Sequence, residues 1–443
     1  MKDLTKGKPS VLILTFALPI FLANLLQLTY SIVDTRIVGT FLGENMLAAV
    51  GATTTLSNLI IGFLLGLSNG FAIVTAQKFG AKDIRAVKKS FATAIILGVA
   101  TALVLTVAGL VFLHPILKFL NIPDELFKES ASYISVIIAG LLATFLYDIC
   151  AAVLRAIGDT ITPLIILAIS VALNVAGDIF FVVIVKAGVR GAAVATVLAQ
   201  LIAFIVCAFY MVKKYDILRL SRTDFKGMES AMVKNMLGGG LSMGFMSSLV
   251  NIGSLTLQTA INKLGQDIIV AHTAARKISE IFMVMFTVFG QTMATYCGQN
   301  IGAGKVDRVK KGIRLSILYT CIWCTLVIIA SYTIGGWLVY LVTGSSNDAV
   351  IVNATNYLKF DTIFYYVTAV ICIVRNAMQG LGEHITPLIS SSLEMIGKII
   401  IAATLVPVMG YMGVIIAEPL VWFIMVIPLI VKIYRIPVLK ESR

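Results

Sequence analysis

Charged side chains are scarce in this sequence. Asp, Glu, Lys and Arg make up 13% of its 443 residues, whereas soluble domains carry roughly 25%. Hydrophobic residues account for 59%, and they recur in runs of about 20, the length that a helix needs to cross a bilayer. The scarcity of charge excludes an ordinary soluble domain, and the run length excludes the short alternating strands of an outer-membrane barrel. The composition therefore predicts an all-α polytopic membrane protein.

The residues and motifs of common enzyme chemistry are also few. The three histidines, His114, His272 and His384, form no His-x-x-x-His pattern and lie in no acid cluster. The nucleotide-binding motif Gly-x-x-x-x-Gly-Lys-[Ser/Thr] does not occur. All six cysteines fall in or beside apolar runs, where we interpret them as small apolar side chains. We therefore expect no enzyme, no cofactor and no ATP hydrolysis, so that transport would draw on an ion gradient.

Hydropathy and loop residues indicate twelve membrane spans in two sets of six. The first set is placed near 11–34, 45–71, 90–113, 130–153, 161–185 and 191–212. The second set is placed near 234–260, 268–294, 314–342, 352–376, 385–408 and 411–433. We expect an N-terminal six-helix bundle over 1–212, a polar cytoplasmic linker over 213–233 and a C-terminal six-helix bundle over 234–443.

Polar loops in the two halves repeat at a nearly constant spacing. The stretch 76–89 matches 298–311 with a shift of 222 residues, and 158–165 matches 382–389 with a shift of 224. Because each half has six spans, both halves begin on the same side of the membrane. They are parallel repeats, and transporters built in that way bind substrate between the repeats.

Positive charge is unevenly distributed along the chain, which has a net charge of +13. Most Lys and Arg residues fall in the termini, the linker and the loops that would share one side of the membrane. The positive-inside rule therefore predicts that both termini are cytoplasmic. The same placement attributes the surplus charge to membrane topology, so we expect no nucleic-acid partner.

Asp34 follows an apolar run from Val11 to Val33 that contains no other charge. A carboxylate at the centre of a membrane helix costs roughly 2.5 to 3.5 kcal/mol unless it is paired, protonated or hydrated. One interpretation is a functional role at membrane depth. The other is that Asp34 lies just past the helix end and caps the next segment.

Asn174 and Asp178 are four residues apart in the fifth span and therefore share a helix face. Together with Asp34 they offer carboxylate and amide oxygens, the ligands that a small hard cation prefers. Two carboxylates held close together cannot easily both stay charged without a cation or a proton. The three residues predict a proton or Na⁺ switch, and the alternative for Asp178 is interfacial exposure near Lys186.

Other charges at membrane depth have local explanations. Arg276 with Glu280, and Glu394 with Lys398, are four residues apart and could neutralise each other. Two further acids lie near a cation in the sequence, Asp148 near Arg155 and Asp361 near Lys359, and Glu418 has no evident partner. The sequence leaves open which of five acids are functional and which structural: Asp148, Glu280, Asp361, Glu394 and Glu418.

Sulfur and aromatic side chains on the seventh and eighth spans are candidates for an adaptable apolar substrate cleft. They include Met246, Met283 and Phe286. Their alternative role is packing between helices or contact with lipid.

Several short motifs occur together with this span pattern and duplication. They are Val33-Asp34-Thr35 with Val38-Gly39, Leu47 to Gly51, Gly80-Ala81-Lys82, Leu154 to Pro163, and Asn174 with Asp178. They are dense in the first half and recur in weaker form in the second. In combination they make the chain similar to the multidrug and toxic compound extrusion (MATE) family, and to its DinF-like branch in particular.

The resemblance implies a V-shaped pair of six-helix bundles that exports organic cations in exchange for protons or Na⁺. It also implies a coupling site in the N-terminal bundle at Asp34, Tyr133, Asn174, Asp178 and Thr196, with Pro19 bending the first helix. The NorM-like branch has acids on the seventh and tenth helices of its C-terminal bundle. This sequence departs from that pattern, because the matching positions are Val250 or Asn251, and Thr368.

We therefore predict a monomeric secondary antiporter of the cytoplasmic membrane that exports small organic cations, including drugs, in exchange for H⁺ or Na⁺. Na⁺ would bind at Asp34, Asn174 and Asp178. The alternative is a flippase of lipids or lipid-linked oligosaccharides, which would need a cationic cleft lined by Arg276, Lys277 and Lys398. The sequence identifies neither the substrate nor the coupling ion.

Overall fold

The computed structural model describes residues 2–344 and 347–440, and all regular secondary structure in these ranges is helical. The helices of the first half are α1 (Pro9–Leu42), α2 (Glu44–Gly80), α3 (Ile84–Val111), α4 (Leu113–Phe119), α5 (Asp124–Ala139), α6 (Leu141–Ala156), α7 (Ile161–Asp178) and α8 (Gly188–Lys214). The helices of the second half are α9 (Ser230–Ile261), α10 (Gln266–Gly302), α11 (Val306–Thr333), α12 (Gly335–Thr343), α13 (Asp348–Ile363), α14 (Tyr365–Gly380), α15 (Ile385–Met409), α16 (Tyr411–Ile433) and α17 (Pro437–Lys440). A π-helical turn over Ile179–Ile184 continues α7, and a 3₁₀ turn over Asp216–Leu218 follows α8.

The long helices correspond to the predicted membrane spans. Within the described ranges, ten helices are long and apolar enough to cross a membrane, and two bent helix pairs bring the number to twelve. Each bent pair, α5 with α6 and α13 with α14, occupies the place of one predicted continuous span. The all-α polytopic prediction is confirmed, and the fourth and tenth predicted spans each contain a bend that the sequence did not indicate.

The two bends lie at equivalent positions of the two halves. The axes of α5 and α6 differ by 46° across Gly140, and those of α13 and α14 by 53° across Phe364, which is 224 residues further on. Both residues have φ and ψ near −85° and 0°, at the edge of the helical region. Because one position is Gly and the other Phe, residue identity at the bend does not explain it. The two halves therefore share the bend as part of their common fold.

Helix bounds repeat as the loop motifs predicted. The pairs α2 and α10, and α3 and α11, begin and end 222 residues apart, and the pairs α5 and α13, and α6 and α14, are 224 apart. The duplication inferred from polar loops therefore extends to the helices. One difference is local: the π-helical turn after α7 has a regular α-helical counterpart within α15.

The chain divides into two compact units. The first comprises residues 1–3 and 18–244, and the second residues 4–17 and 245–443. In the first unit, large apolar side chains such as Phe71, Phe91 and Phe145 form the core. In the second, Tyr357, Tyr365 and Trp422 are among the core residues. The predicted boundary at a 213–233 linker stays a prediction.

Acidic side chains order the loops that begin α7 and α15. Asp159 accepts hydrogen bonds from the backbone N–H of Thr162 (3.0 Å), the Thr162 hydroxyl (2.6 Å) and the Tyr215 hydroxyl (2.7 Å). Burial raises the pKa of the Asp159 carboxyl, but these hydrogen bonds outweigh burial, and the pKa lies below its usual range. Glu383 caps α15 through Thr386 and forms an ion pair with Lys432 at 3.0 Å. The two Gly-x-x-x-Thr-Pro loops, at 158–163 and 382–387, are thus helix starts fixed by a carboxylate.

Candidate functional site

The structure excludes one alternative placement of Asp34 and one of Asp178. Asp34 lies inside α1, which continues to Leu42, so it does not cap the following segment. Asp178 is the last residue of α7, and its side chain is 0% exposed, which excludes an interfacial position beside Lys186. Both carboxyls are therefore inside candidate membrane spans.

All five residues of the predicted coupling site lie together in the first unit. In the orientation that satisfies the Asn174 amide, its nitrogen donates to Asp178 Oδ2 at 3.0 Å. Its oxygen then accepts from the backbone N–H and the hydroxyl of Thr196, both at 3.1 Å. The Asp34 carboxyl is within hydrogen-bonding reach of the Asp178 carboxyl, and Tyr133 on α5 lies close to both acids. Helices α1, α5, α7 and α8 thus each contribute to one polar cluster, hereafter the carboxyl cluster.

The two acids of the carboxyl cluster approach each other without a fixed positive partner. Among the described residues, neither Asp34 nor Asp178 forms an ion pair with Lys, Arg or His. Oδ1 of each acid is buried and has no hydrogen-bond partner within the described ranges. Two carboxyls can share a hydrogen bond only if one of them carries a proton. A proton or a small cation between the acids would satisfy these oxygens.

The chemistry of the donor set suits a hard cation better than a soft transition metal. No group of three or more His, Cys, Asp and Glu side chains with metal-binding geometry is present in residues 2–344 and 347–440. The oxygens available are carboxylate, amide and hydroxyl, which suit Na⁺ or a proton.

Tyr30 belongs to the carboxyl cluster and was not predicted from the sequence. Its hydroxyl is within hydrogen-bonding reach of Thr196, and its ring lies near Asp34 and Tyr133. The signal was available, because Tyr30 precedes Asp34 by four residues and therefore lies on the same face of α1. The π-helical turn that starts directly after Asp178 had no signal in the sequence. Such turns occur frequently at functional sites.

Apolar packing closes the carboxyl cluster on one side. Val38, Val182 and Ala192 form a buried cluster, and each lies four residues from Asp34, Asp178 and Thr196 respectively. Each of these three apolar residues therefore lies about one helical turn from the polar residue of its own segment. The small residues Gly177 and Ala195 let α7 and α8 approach each other closely, because a Cβ built on Gly177 would lie 3.0 Å from the Ala195 Cβ. This packing excludes water from that end of the cluster.

Gly140 connects the bend in the fourth span to the carboxyl cluster. A Cβ at this position would lie 2.3 Å from the nearest methyl of Val197, the residue that follows Thr196. The absence of a side chain lets the joint between α5 and α6 pack directly against α8. Val197 is the neighbour of Thr196 on α8, so this contact lies next to one residue of the carboxyl cluster.

Buried acids of the second unit have a different environment, hereafter the ion-pair network. Lys398 pairs with Glu394 at 2.9 Å and with Glu418 at 3.2 Å, and Arg276 pairs with Glu418 at 3.4 Å. The Lys398 ammonium also donates to the Ser254 hydroxyl at 3.3 Å. Asp361 is fully buried nearby, and neither of its oxygens has a hydrogen bond of good geometry in the described part of the chain. Fixed cations therefore neutralise Glu394 and Glu418.

The ion-pair network confirms one sequence interpretation and corrects two. The pairing of Glu394 with Lys398 is confirmed. Arg276 was expected to pair with Glu280 but pairs with Glu418, because Glu280 is exposed and α16 brings Glu418 to α10. Asp361 does not pair with Lys359, since the two side chains leave α13 in different directions: Asp361 is buried, whereas the Lys359 ammonium lies over the Tyr332 ring.

The residues proposed for a substrate cleft are mostly packed within the second unit. Met246 is 7% exposed and accepts a hydrogen bond from Gln379 at its sulfur, and Phe286 is 1% exposed and packs edge-on against Tyr365. Met283 is half-buried. Their role in a cleft stays a prediction, as does a bend at Pro19, which lies inside α1.

Comparison with known proteins is consistent with this arrangement. The MatE family model matches twice, over residues 19–180 and 243–404. The chain is 27% identical to "Probable multidrug resistance protein YpnP" of Bacillus subtilis over 87% of its length and 86% of that protein. It is 23% identical to "Multidrug export protein MepA" of Staphylococcus aureus over 83% of its length and 81% of that protein.

Solved structures share the fold over the whole chain. A structure titled as the outward-facing conformation of a multidrug resistance MATE family transporter of the MOP superfamily has a TM-score of 0.91 and 21% identity. It covers 99% of this chain and 98% of that one. A transporter of Pyrococcus furiosus, whose title states a reversed polarity of its binding pocket, has a TM-score of 0.89 and 20% identity over 99% of this chain and 98% of that one.

The family match and the ten to twelve candidate spans in the described ranges identify a multi-pass membrane transporter and not an enzyme. The chain belongs to the MatE family, whose model matches each of its two repeats. The family resemblance seen in the sequence is thereby confirmed.

Proposed function

We propose that this protein is an antiporter that exports organic cations, including drugs, in exchange for H⁺ or Na⁺. The observation that carries the proposal is the contact between the Asp34 and Asp178 carboxyls in a cluster without a fixed cation. Such a pair must take up a proton or a cation, so its charge changes with occupancy. The printed names of relatives in Bacillus subtilis and Staphylococcus aureus, which refer to multidrug resistance and export, support the substrate class.

The proposed exchange follows from differential affinity. A proton or Na⁺ bound between Asp34 and Asp178 favours one arrangement of the transporter, and the organic cation favours the other. A ligand shifts such an equilibrium only by the difference in its affinity for the two states. Na⁺ would be held by Asp34, Asp178 and the Asn174 amide. Binding of the coupling ion and of substrate then exclude each other, and an ion gradient drives export.

Transport in vesicles tests the proposal. Purified protein is reconstituted, and efflux of a fluorescent organic cation is measured under an imposed proton gradient or an imposed Na⁺ gradient. We expect one gradient to drive uphill transport in the wild type and Asp34→Asn to abolish it. Asp216→Asn, which removes an exposed carboxylate paired with Arg219, is the matched control and is expected to retain transport. Full ion-driven transport by Asp34→Asn would overturn the proposal.

The pairing of buried cations with carboxylates in the second unit argues against the flippase alternative. That alternative needs free positive charge on Arg276, Lys277 and Lys398 for a pyrophosphate group. Arg276 and Lys398 are instead neutralised by Glu394 and Glu418. Transport of a fluorescent lipid-linked substrate is measured in the same vesicles and compared with transport of the organic cation.

We further propose that the transporter is a monomer in the cytoplasmic membrane with both termini in the cytoplasm. The concentration of Lys and Arg in the segments of that side supports this topology. A reporter that is active only in the cytoplasm, fused to the C-terminus, tests the topology. An active reporter is expected.

A further inference from the structure

The second unit contains an open cavity that the proposed transport does not use. It has a volume of about 430 Å³ and lies between α11, α13 and α16. Its polar lining comprises Tyr332, Asn353, Asn356 and Lys359, and its apolar lining includes Phe360, Ile363 and Met412. The lining of the cavity thus combines polar and basic side chains with apolar ones.

The cavity lies where two membrane helices end. Tyr332 is the second-last residue of α11, and Met412 is the second residue of α16. Both helices are long and apolar enough to cross the bilayer. Side chains at these ends are therefore at the depth of lipid headgroups, where tyrosine is enriched.

Lys359 supplies a positive charge at the cavity. No ion pair involves it in residues 2–344 and 347–440, and its ammonium lies 5.7 Å from the centroid of the Tyr332 ring. By contrast, Arg276, Lys398 and Lys432 of the same unit each have a carboxylate partner. A half-buried lysine a few residues inside the predicted tenth span reaches the headgroup layer along its aliphatic stem, and an anion there stabilises its charge.

The apolar lining continues along the helix surfaces away from Lys359. Ile363 and Met412 are exposed, and Phe423, three turns further along α16, is also exposed. An edge-on ring contact between Phe364 and Phe423 joins the α13–α14 bend to α16. This surface can contact an acyl chain whose headgroup occupies the cavity.

We propose that this cavity binds an anionic phospholipid, with the phosphate at Lys359 and Asn356 and an acyl chain along Ile363 and Met412. An organic cation is disfavoured because Lys359 repels it. A free soluble anion is disfavoured because half of the lining is apolar and would gain nothing from it. The site is independent of the carboxyl cluster, which lies in the other unit.

Lipid retention on the intact protein tests the site. Full-length protein in detergent is titrated with phosphatidylglycerol or phosphatidylcholine, and bound lipid is counted by native mass spectrometry. We expect tight retention of phosphatidylglycerol by the wild type and at least about fivefold weaker retention by Lys359→Gln, with Lys359→Arg restoring it. Lys263→Gln, an exposed lysine outside the cavity, is the control and is expected to behave as the wild type.

A second variant tests the apolar part of the cavity lining. Met412→Trp fills the cavity without changing charge and is expected to weaken phosphatidylglycerol binding while the protein remains folded. Equal retention by the wild type and Lys359→Gln would overturn the proposal, as would equal retention of the two lipids by the wild type. Competition by glycerol phosphate as strong as that by the lipid would identify a soluble-anion site and also overturn it.

Discussion

The carboxyl cluster of the first unit and the ion-pair network of the second bury acids in opposite ways. Asp34 and Asp178 lie against hydroxyls, an amide and each other, and we propose that a mobile ion neutralises them. Glu394 and Glu418 lie against Lys398 and Arg276, which are part of the protein. A charge that comes and goes can couple to transport, whereas a fixed pair is a structural element. On the proposed function, Asp34 and Asp178 therefore differ in electrostatic role from Glu394 and Glu418, whereas Asp361 has no ion pair among the described residues.

The comparison predicts that the largest effect on transport comes from the first unit. Asp178→Asn is expected to reduce ion-coupled efflux by at least about tenfold, because one carboxyl alone can no longer share a proton. The thermal midpoint should stay equal or rise, since a costly buried charge is removed. Efflux and thermal unfolding measured on the same preparation check this. A folded Asp178→Asn with normal efflux would remove the distinction between the two regions.

The second unit should respond in the opposite way. Lys398→Met leaves Glu394 and Glu418 with too few cations, and breaking such a buried pair costs about 3 to 5 kcal/mol. We expect low yield and a lower thermal midpoint, with ion coupling intact in the protein that folds.

The double variant Glu394→Gln/Lys398→Met provides the control for that experiment. It retains the pair of Arg276 with Glu418 and should recover most of the stability. Loss of proton or Na⁺ coupling in the stable double variant would show that the network also takes part in exchange.

The bend of the fourth span allows a smaller, steric test. Gly140→Ala places a methyl group 2.3 Å from Val197 and is expected to cost about 1 to 3 kcal/mol. It should also reduce transport, because Val197 adjoins Thr196 in the carboxyl cluster. Gly51→Ala is the matched control, since a Cβ there has no atom within 4 Å. Thermal midpoints of both variants are compared, and equal values would contradict the packing described for Gly140.

The smallest expected effect on folding stability concerns the loop carboxylates at the starts of α7 and α15. The folded-state pKa of Asp159 is below its unfolded value of about 3.9. The ionised carboxylate therefore contributes to folding stability above that pH, and this contribution is lost as pH falls through the folded-state pKa. Asp159→Asn should therefore lower stability by about 1 kcal/mol at pH near 7. The difference from the wild type should shrink in thermal scans below pH of about 4. A difference that persists in acid would mean that hydrogen-bond geometry, not charge, stabilises this loop.

Sequence reasoning predicted the spans and the duplication because both are properties of long apolar runs and of polar loop residues. It brought Asp34, Asn174 and Asp178 together because acids at membrane depth are costly and i, i+4 spacing is readable. It did not find the bends at Gly140 and Phe364, since Phe gives no local signal and helix direction is set by tertiary packing. It missed the partner of Arg276 for the same reason: Glu418 is 142 residues away and only the fold brings it close.

Infrared difference spectroscopy of the carbonyl stretch of a protonated carboxylic acid tests the shared ion of Asp34 and Asp178 most directly. Purified protein is examined at neutral pH before and after addition of an organic cation substrate or of Na⁺. We predict a band that is lost on addition of ligand, is absent in Asp34→Asn and in Asp178→Asn, and is unchanged in Glu394→Gln/Lys398→Met. A ligand-sensitive band that persists in both aspartate variants, or that disappears only in the Glu394 variant, would contradict the account.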